Sequence, residues 1–246
     1  EDQDGVAPDA FFYDTVPDGV TPIIYDQNGL LTNAAFGAGA NQTVIGFAGP
    51  RWTSGTTINE GRVVMNGLFL DGAGSPDDIT QAEMQGAITH EIGHMLNLDH
   101  CQFLEANVNY SANGVDYTGF PTMFPISQPD IGDLELDDKA WISNLYPSGA
   151  FAATTKITGV TRTNADALIN GVNVVARSAT NPSDAISCVS GYLDGTPATT
   201  PDGTYLVPGL PAGSGWVLDY EQVWDDFTSG SRVGPVQPPL FLPGVP

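Results

Sequence analysis

The chain has three histidines in all, and they fall close together with one glutamate: His90, Glu91, His94 and His100. The run His90-Glu91-Ile92-Gly93-His94 sets two imidazoles four residues apart. On a helix such residues share a face, so both rings can reach one metal ion while Glu91 sits beside them. A catalytic zinc usually takes three protein ligands and keeps its fourth position for water, so His100 is the expected third ligand. On an unbroken helix His100 would point away from that face by about 120°. The chain must therefore leave the helix between His94 and His100. Asn97 is the expected exit, because asparagine, after glycine, most readily takes the left-handed conformation that ends a helix.

The elements that must position these residues can be read from local signals. Short β-branched or aromatic runs precede the motif: Pro22-Ile23-Ile24-Tyr25, Thr43-Val44-Ile45-Gly46-Phe47 and Arg62-Val63-Val64-Met65, separated by Gly, Asn and Pro. They are predicted strands. In Ser75-Pro76-Asp77-Asp78 the serine can cap a helix, the proline suits its first position and the acids favour its positive end, which predicts a helix from about Pro76 to Leu96. A stretch rich in Asn, Gly and Pro follows His100. It leads to a second predicted helix through Asp137-Asp138-Lys139-Ala140-Trp141-Ile142, ending near Tyr146-Pro147. After Pro147-Ser148-Gly149 the helical period is lost, and runs such as Lys156-Ile157-Thr158-Gly159-Val160 and Val172-Asn173-Val174-Val175 predict a small all-β module.

The pattern of His90, Glu91, His94 and His100 resembles the signature of the metzincin clan of zinc metalloproteases, H-E-x-x-H-x-x-G-x-x-H followed by a methionine-containing turn. Asn97 stands where that signature has glycine. Pro121-Thr122-Met123-Phe124-Pro125 resembles the Met-turn, and Asp137-Asp138 with Leu145-Tyr146-Pro147 resembles the helix that closes matrixin-like members. The resemblance covers about Pro22 to Pro147. It implies a polypeptide substrate, a Met123 that packs beneath the metal without touching substrate, and Glu91 as the general base that takes a proton from water and passes it to the leaving amine. Some families of the clan carry a tyrosine ligand two residues after the turn methionine; Pro125 stands there, so that role is not carried over. The segment before His90 is short for the clan, which implies missing upstream residues, including a signal and prosegment. Farther on, Gly171-Val172-Asn173-Val174, Asp202-Gly203-Thr204-Tyr205 and Gly209-Leu210-Pro211-Ala212-Gly213 resemble the carboxypeptidase-regulatory-like β-sandwich family over about residues 154 to 224.

The expected fold class is thus an α/β (α+β) metzincin-type zinc protease domain over residues 1–149, then a β-sandwich over 150–224. Residues 225–246, rich in Pro and Gly, would form a linker or an edge extension. Two cysteines, Cys101 and Cys188, could form one disulfide in an oxidising compartment or remain two buried thiols. Cys101 directly follows His100, but neighbouring side chains diverge and three histidines already suffice for zinc. Structural calcium could use Asp71, Asp77, Asp78, Asp130 and Asp133, although none forms the ordered carboxylate spacing of an EF-hand. Loop and helix capping is the competing role for these aspartates.

Composition bounds the partners. Among 246 residues, 29 acidic against 7 basic ones give a formal charge of -22, which would repel nucleic acid and anionic lipid. No run approaches the roughly 18 to 20 apolar residues of a membrane span. Few lysines and many small polar residues, Gly and Pro suit a secreted or cell-surface protein, expected to be bacterial. A rival function is a surface-assembly or adhesion protein that keeps a metzincin-like scaffold. Glu91 speaks against it, because a scaffold has no use for a general base.

Overall fold

The computed structural model describes residues 19–54, 57–101, 109–111, 114–116, 119–125, 132–191, 202–213 and 215–222. Asp130 and the 225–246 tail lie outside them. The content is mixed α and β, and the chain divides into two compact units, Glu1–Leu98 and Asp99–Pro246. No helix among the described residues is long and apolar enough to cross a membrane.

In the first unit, strands β1 (Ile23–Asp26), β2 (Gly46–Ser54) and β3 (Thr57–Asn66) form a sheet of order β1-β3-β2. β1 runs parallel to β3, with Ile24 opposite Val64, and β2 runs antiparallel to it, with Gly46 opposite Met65. A short helix, α1 (Leu30–Phe36), lies between β1 and β2; Oδ2 of buried Asp26 accepts hydrogen bonds from the amide and the hydroxyl of Thr32 in its first turn, each 2.9 Å. The alternation in β3 sends its side chains to two cores. Val64 joins Ile24 and Leu31, whereas Val63 and Met65 join Phe69 and Met84. Each such side chain stabilises by roughly 1.5–3 kcal/mol on burial.

The second core is closed by α2 (Gln81–Met95), whose Ala87, Ile88, Ile92 and Met95 pack against it. This helix begins later than Ser75-Pro76-Asp77-Asp78 suggests. Thr80 caps it: Thr80 Oγ1 accepts the Glu83 amide at 3.2 Å, and Glu83 Oε2 accepts the Thr80 amide at 2.7 Å. The upstream acids are spent on the preceding loop, with Asp71 Oδ1 accepting from the Ala73 amide and Asp78 Oδ2 from the Gly72 amide. Ser75 donates its hydroxyl to Gln42 instead of capping.

The second unit contains a small hairpin, β4 (Asn109–Ser111) with β5 (Gly114–Asp116), then helix α3 (Leu136–Leu145). Five strands follow: β6 (Thr155–Val160), β7 (Val172–Ser178), β8 (Ala185–Val189), β9 (Thr204–Leu210) and β10 (Trp216–Gln222). They make two sheets, β10-β7-β8 and β6-β9, both antiparallel. One core joins the sheets: Val172, Val174 and Ala176 from β7, Ile186 and Cys188 from β8, and Tyr205, Val207 and Leu210 from β9. Ala140 of α3 is buried in the same core, with Leu136 and Trp141 packed against it. The boundary expected at residues 149/150 therefore runs between a helix and the strands that share its core.

The candidate disulfide is not made: Cys101 and Cys188 are both buried thiols. Cys188 sits in the strand core, where desolvation pushes its thiol up to about 12. A thiol so far from ionisation is a poor nucleophile, and it packs as a small apolar side chain.

Candidate metal centre

At about 100° per residue, helix α2 presents two stripes. Met84, Ile88, Ile92 and Met95 fall within about 80° of one another and meet the sheet, whereas His90 and His94 lie about 40° apart on another face. Glu91 falls between these stripes. This explains its deep burial, at 6% exposure, beside half-buried histidines. The His90 and His94 rings meet edge to face, with centroids 4.6 Å apart.

The helix ends as a Schellman turn. Asn97 has φ 69°, the amide of Asn97 donates to the His94 carbonyl at 2.9 Å, and the amide of Leu98 donates to the Gly93 carbonyl at 2.9 Å. The left-handed residue reverses the chain so that His100 returns to the face it would otherwise leave. One ligating atom from each of His90, His94 and His100 lies within 4.8 Å of the others. The cluster can hold a metal ion. The carbonyl oxygen of Leu98 lies 2.9 Å from Nδ1 of His94. A carbonyl only accepts, so Nδ1 carries the proton and Nε2 presents the lone pair, the arrangement in which an outer partner fixes a ligand's tautomer. Three neutral imidazoles are a donor set that suits zinc.

Glu91 is the second chemical element. Its Oε2 is buried with no hydrogen-bond partner among the described residues. Desolvation pushes its carboxyl up to about 8, and a cation at the histidine cluster would favour the ionised form. Gly46 of β2 faces it. That glycine has no positive φ, so the backbone does not require it. A Cβ there would stand 3.0 Å from Cγ and 3.1 Å from Oε1 of Glu91, and 3.1 Å from Sδ of Met65. The missing side chain is thus the space in which Glu91 lies.

Met123 lies in a tight turn closed by the Phe124 amide donating to the Pro121 carbonyl at 3.0 Å, and Thr122, Met123 and Phe124 are all buried. Asp138 of α3 holds this turn, accepting the Thr122 amide at 2.9 Å and the Met123 amide at 3.0 Å. The Met123 carbonyl in turn accepts the amide of Cys101, the residue after His100, at 3.0 Å. Burial pushes the Asp138 carboxyl up, while the amides of Glu135, Thr122 and Met123 pull it down less strongly.

Among the described residues, the histidine trio is the one cluster able to hold a metal. Asp71, Asp77, Asp78 and Asp133 do not gather into a second. Sequence reasoning did not find Gly46, nor Asp138 as the support of the Met123 turn. Gly46 carries no local signal, and the pairing of Asp138 with residues 122 and 123 depends on tertiary packing. Comparison with family models, with curated proteins and with solved structures gave no match.

Proposed function

We propose that this protein is a secreted, metzincin-type zinc endopeptidase that hydrolyses peptide bonds. The observation that carries the reading is the pairing of a three-imidazole cluster, held by a helix and its Schellman turn, with a buried oxygen of Glu91 on the same helix that has no hydrogen-bond partner among the described residues. Zinc, when bound, supplies Lewis acidity that acidifies water and polarises the scissile carbonyl. His90, His94 and His100 would hold it as neutral imidazoles. Glu91 would accept a proton as the water oxygen bonds to the carbonyl carbon, then deliver it to the amine nitrogen as the C–N bond breaks. Gly46 leaves that carboxylate its place. The charge of -22 supports a protein that avoids nucleic acid and anionic membranes, and the composition supports secretion.

The test is metal analysis of purified protein together with peptide-library cleavage by wild type and Glu91→Gln. About one zinc per chain is expected, with cleavage blocked by chelation. The glutamine variant keeps the side chain's size, so zinc content should persist while activity falls at least about 100-fold. The wild type, extended upstream where needed and freed of any prosegment, must cleave something. Zinc binding without cleavage would favour a scaffold or adhesion role instead.

A further inference from the structure

In the sheet order β10-β7-β8, strand β8 is an edge, and an edge strand leaves outward amide and carbonyl groups to be covered. Helix α3 covers them at one residue, Ser187. The Ser187 amide donates to Asp137 Oδ1 at 2.7 Å, its hydroxyl donates to the same oxygen at 3.3 Å, and its carbonyl accepts from Trp141 Nε1 at 2.8 Å. Ser187 and Asp137 are 4% and 3% exposed, so these bonds form away from water and matter more if lost. The residue after Asp137 on the helix is Asp138, which holds the amides of Thr122 and Met123. The Met123 carbonyl holds the amide of Cys101, and Cys101 is joined by one peptide bond to His100. A continuous series of buried contacts thus runs from β8 to the third histidine, each step a hydrogen bond or a peptide bond.

We propose that Ser187 and Asp137 are positioning residues of the metal centre: strand β8 fixes the orientation of α3, α3 fixes the Met123 turn, and the turn fixes His100. The β-strands after residue 150 then belong to the machinery that shapes the metal site and are not an independent appendage. This inference rests on the metal reading of the histidine cluster and is independent of peptide hydrolysis.

Zinc alone is the probe, titrated into metal-free full-length protein against a chromophoric chelator at a temperature where every variant is folded. Removing an outer partner of a metal site typically weakens affinity about 10- to 100-fold. Asp137→Ala should weaken zinc binding by at least about tenfold, and Trp141→Phe, which deletes one bond only, by a smaller factor. Asp137→Asn should restore wild-type affinity, because one amide oxygen at the Oδ1 position can accept both Ser187 donors. Val174→Ala, in the same core but outside the series, controls for general destabilisation and should lower the melting temperature while leaving zinc affinity unchanged. The proposal is overturned if Asp137→Ala binds zinc as tightly as wild type, or if Val174→Ala weakens zinc as much as Asp137→Ala does. A wild type that binds no zinc would overturn the metal reading and this inference with it. Should Asp137→Ala fail to fold, the comparison of Trp141→Phe with Val174→Ala decides the question in the same way.

Discussion

A methyl group at Gly46 would stand 3.0 Å from Cγ of Glu91, closer than side chains normally approach, and the backbone at Gly46 would otherwise accept any residue. The strand and the helix are therefore fitted to each other at the carboxylate proposed as the general base. Gly46→Ala should leave the fold and zinc content intact, since Glu91 is not a ligand, but displace the carboxylate by a few tenths of an ångström. Displacements on the order of 1 Å cost about 10²-fold in well-aligned reactions, so a loss of about tenfold in kcat is expected, and more for Gly46→Val. Steady-state kinetics beside zinc analysis checks this. Full kcat in Gly46→Val would show that the contact constrains nothing.

Asn97 offers a test of the turn that returns His100. Its side chain is exposed, so substitution there acts through the backbone at φ 69° and hardly through packing. Asn97→Gly should keep both stability and zinc affinity. Asn97→Val must either hold a β-branched residue in the left-handed region, at about 1–2 kcal/mol, or open the turn. Thermal unfolding and zinc titration should both report the loss, and a valine variant as stable and as tight-binding as wild type would refute the role given to the turn.

The contrast between these two residues shows what the sequence makes legible. His90, His94, Asn97 and His100 are neighbours along the chain, so helical period and left-handed preference suffice to bring them together. Glu91 and Gly46 meet only because a sheet and a helix pack, and no local pattern marks the glycine. The start of α2 lies after the Ser75-Pro76-Asp77-Asp78 signal because two capping signals compete. Ser75-Pro76-Asp77-Asp78 looks stronger, but Asp71 and Asp78 bind loop amides, and the Thr80–Glu83 capping box takes the helix. The composition shift near Ser148 marks a change from helix to strand. It carries no information on packing, and Ala140 and Trp141 pack with the strands.

Asp137 and Asp138 are adjacent, buried acids whose hydrogen bonds predict opposite tolerance to the same change. Both bonds to Asp137 use one oxygen, Oδ1, so Asp137→Asn can keep them with its single amide oxygen. Asp138 uses both: Oδ2 accepts from Thr122 and Glu135, and Oδ1 accepts from Met123. Asp138→Asn must point an NH2 at an amide donor and leave at least one buried N–H unmet, at about 1–3 kcal/mol. Urea denaturation should therefore show Asp138→Asn clearly destabilised and Asp137→Asn not destabilised. Equal losses in the two variants would mean that the hydrogen-bond geometry does not set the cost.

The same pair predicts an inverted response to acid. Burial, as the largest cause, holds the Asp137 carboxyl well above the usual carboxylate range and the Asp138 carboxyl above it, with hydrogen bonds pulling each back only in part. A carboxyl whose value is raised in the folded protein binds a proton more tightly there than in the unfolded chain. Its stabilising contribution is complete below the unfolded value of about 3.9 and is lost as pH rises through the folded value. Lowering the pH from 8 to 5.5 should thus stabilise the protein, and relief of repulsion at a net charge of -22 acts in the same direction. Any bound metal must be removed first, because protonation of ligating histidines would release it and reverse the trend. The measurement is the urea midpoint of metal-free protein at pH 8, 7, 6 and 5.5, for wild type and Asp137→Asn. A rising midpoint on acidification is expected in the wild type, with a shallower rise in the variant, whose residue 137 no longer titrates. A midpoint that falls steadily toward pH 5.5, or equal slopes in both proteins, would show that Asp137 is ionised at little cost in the fold.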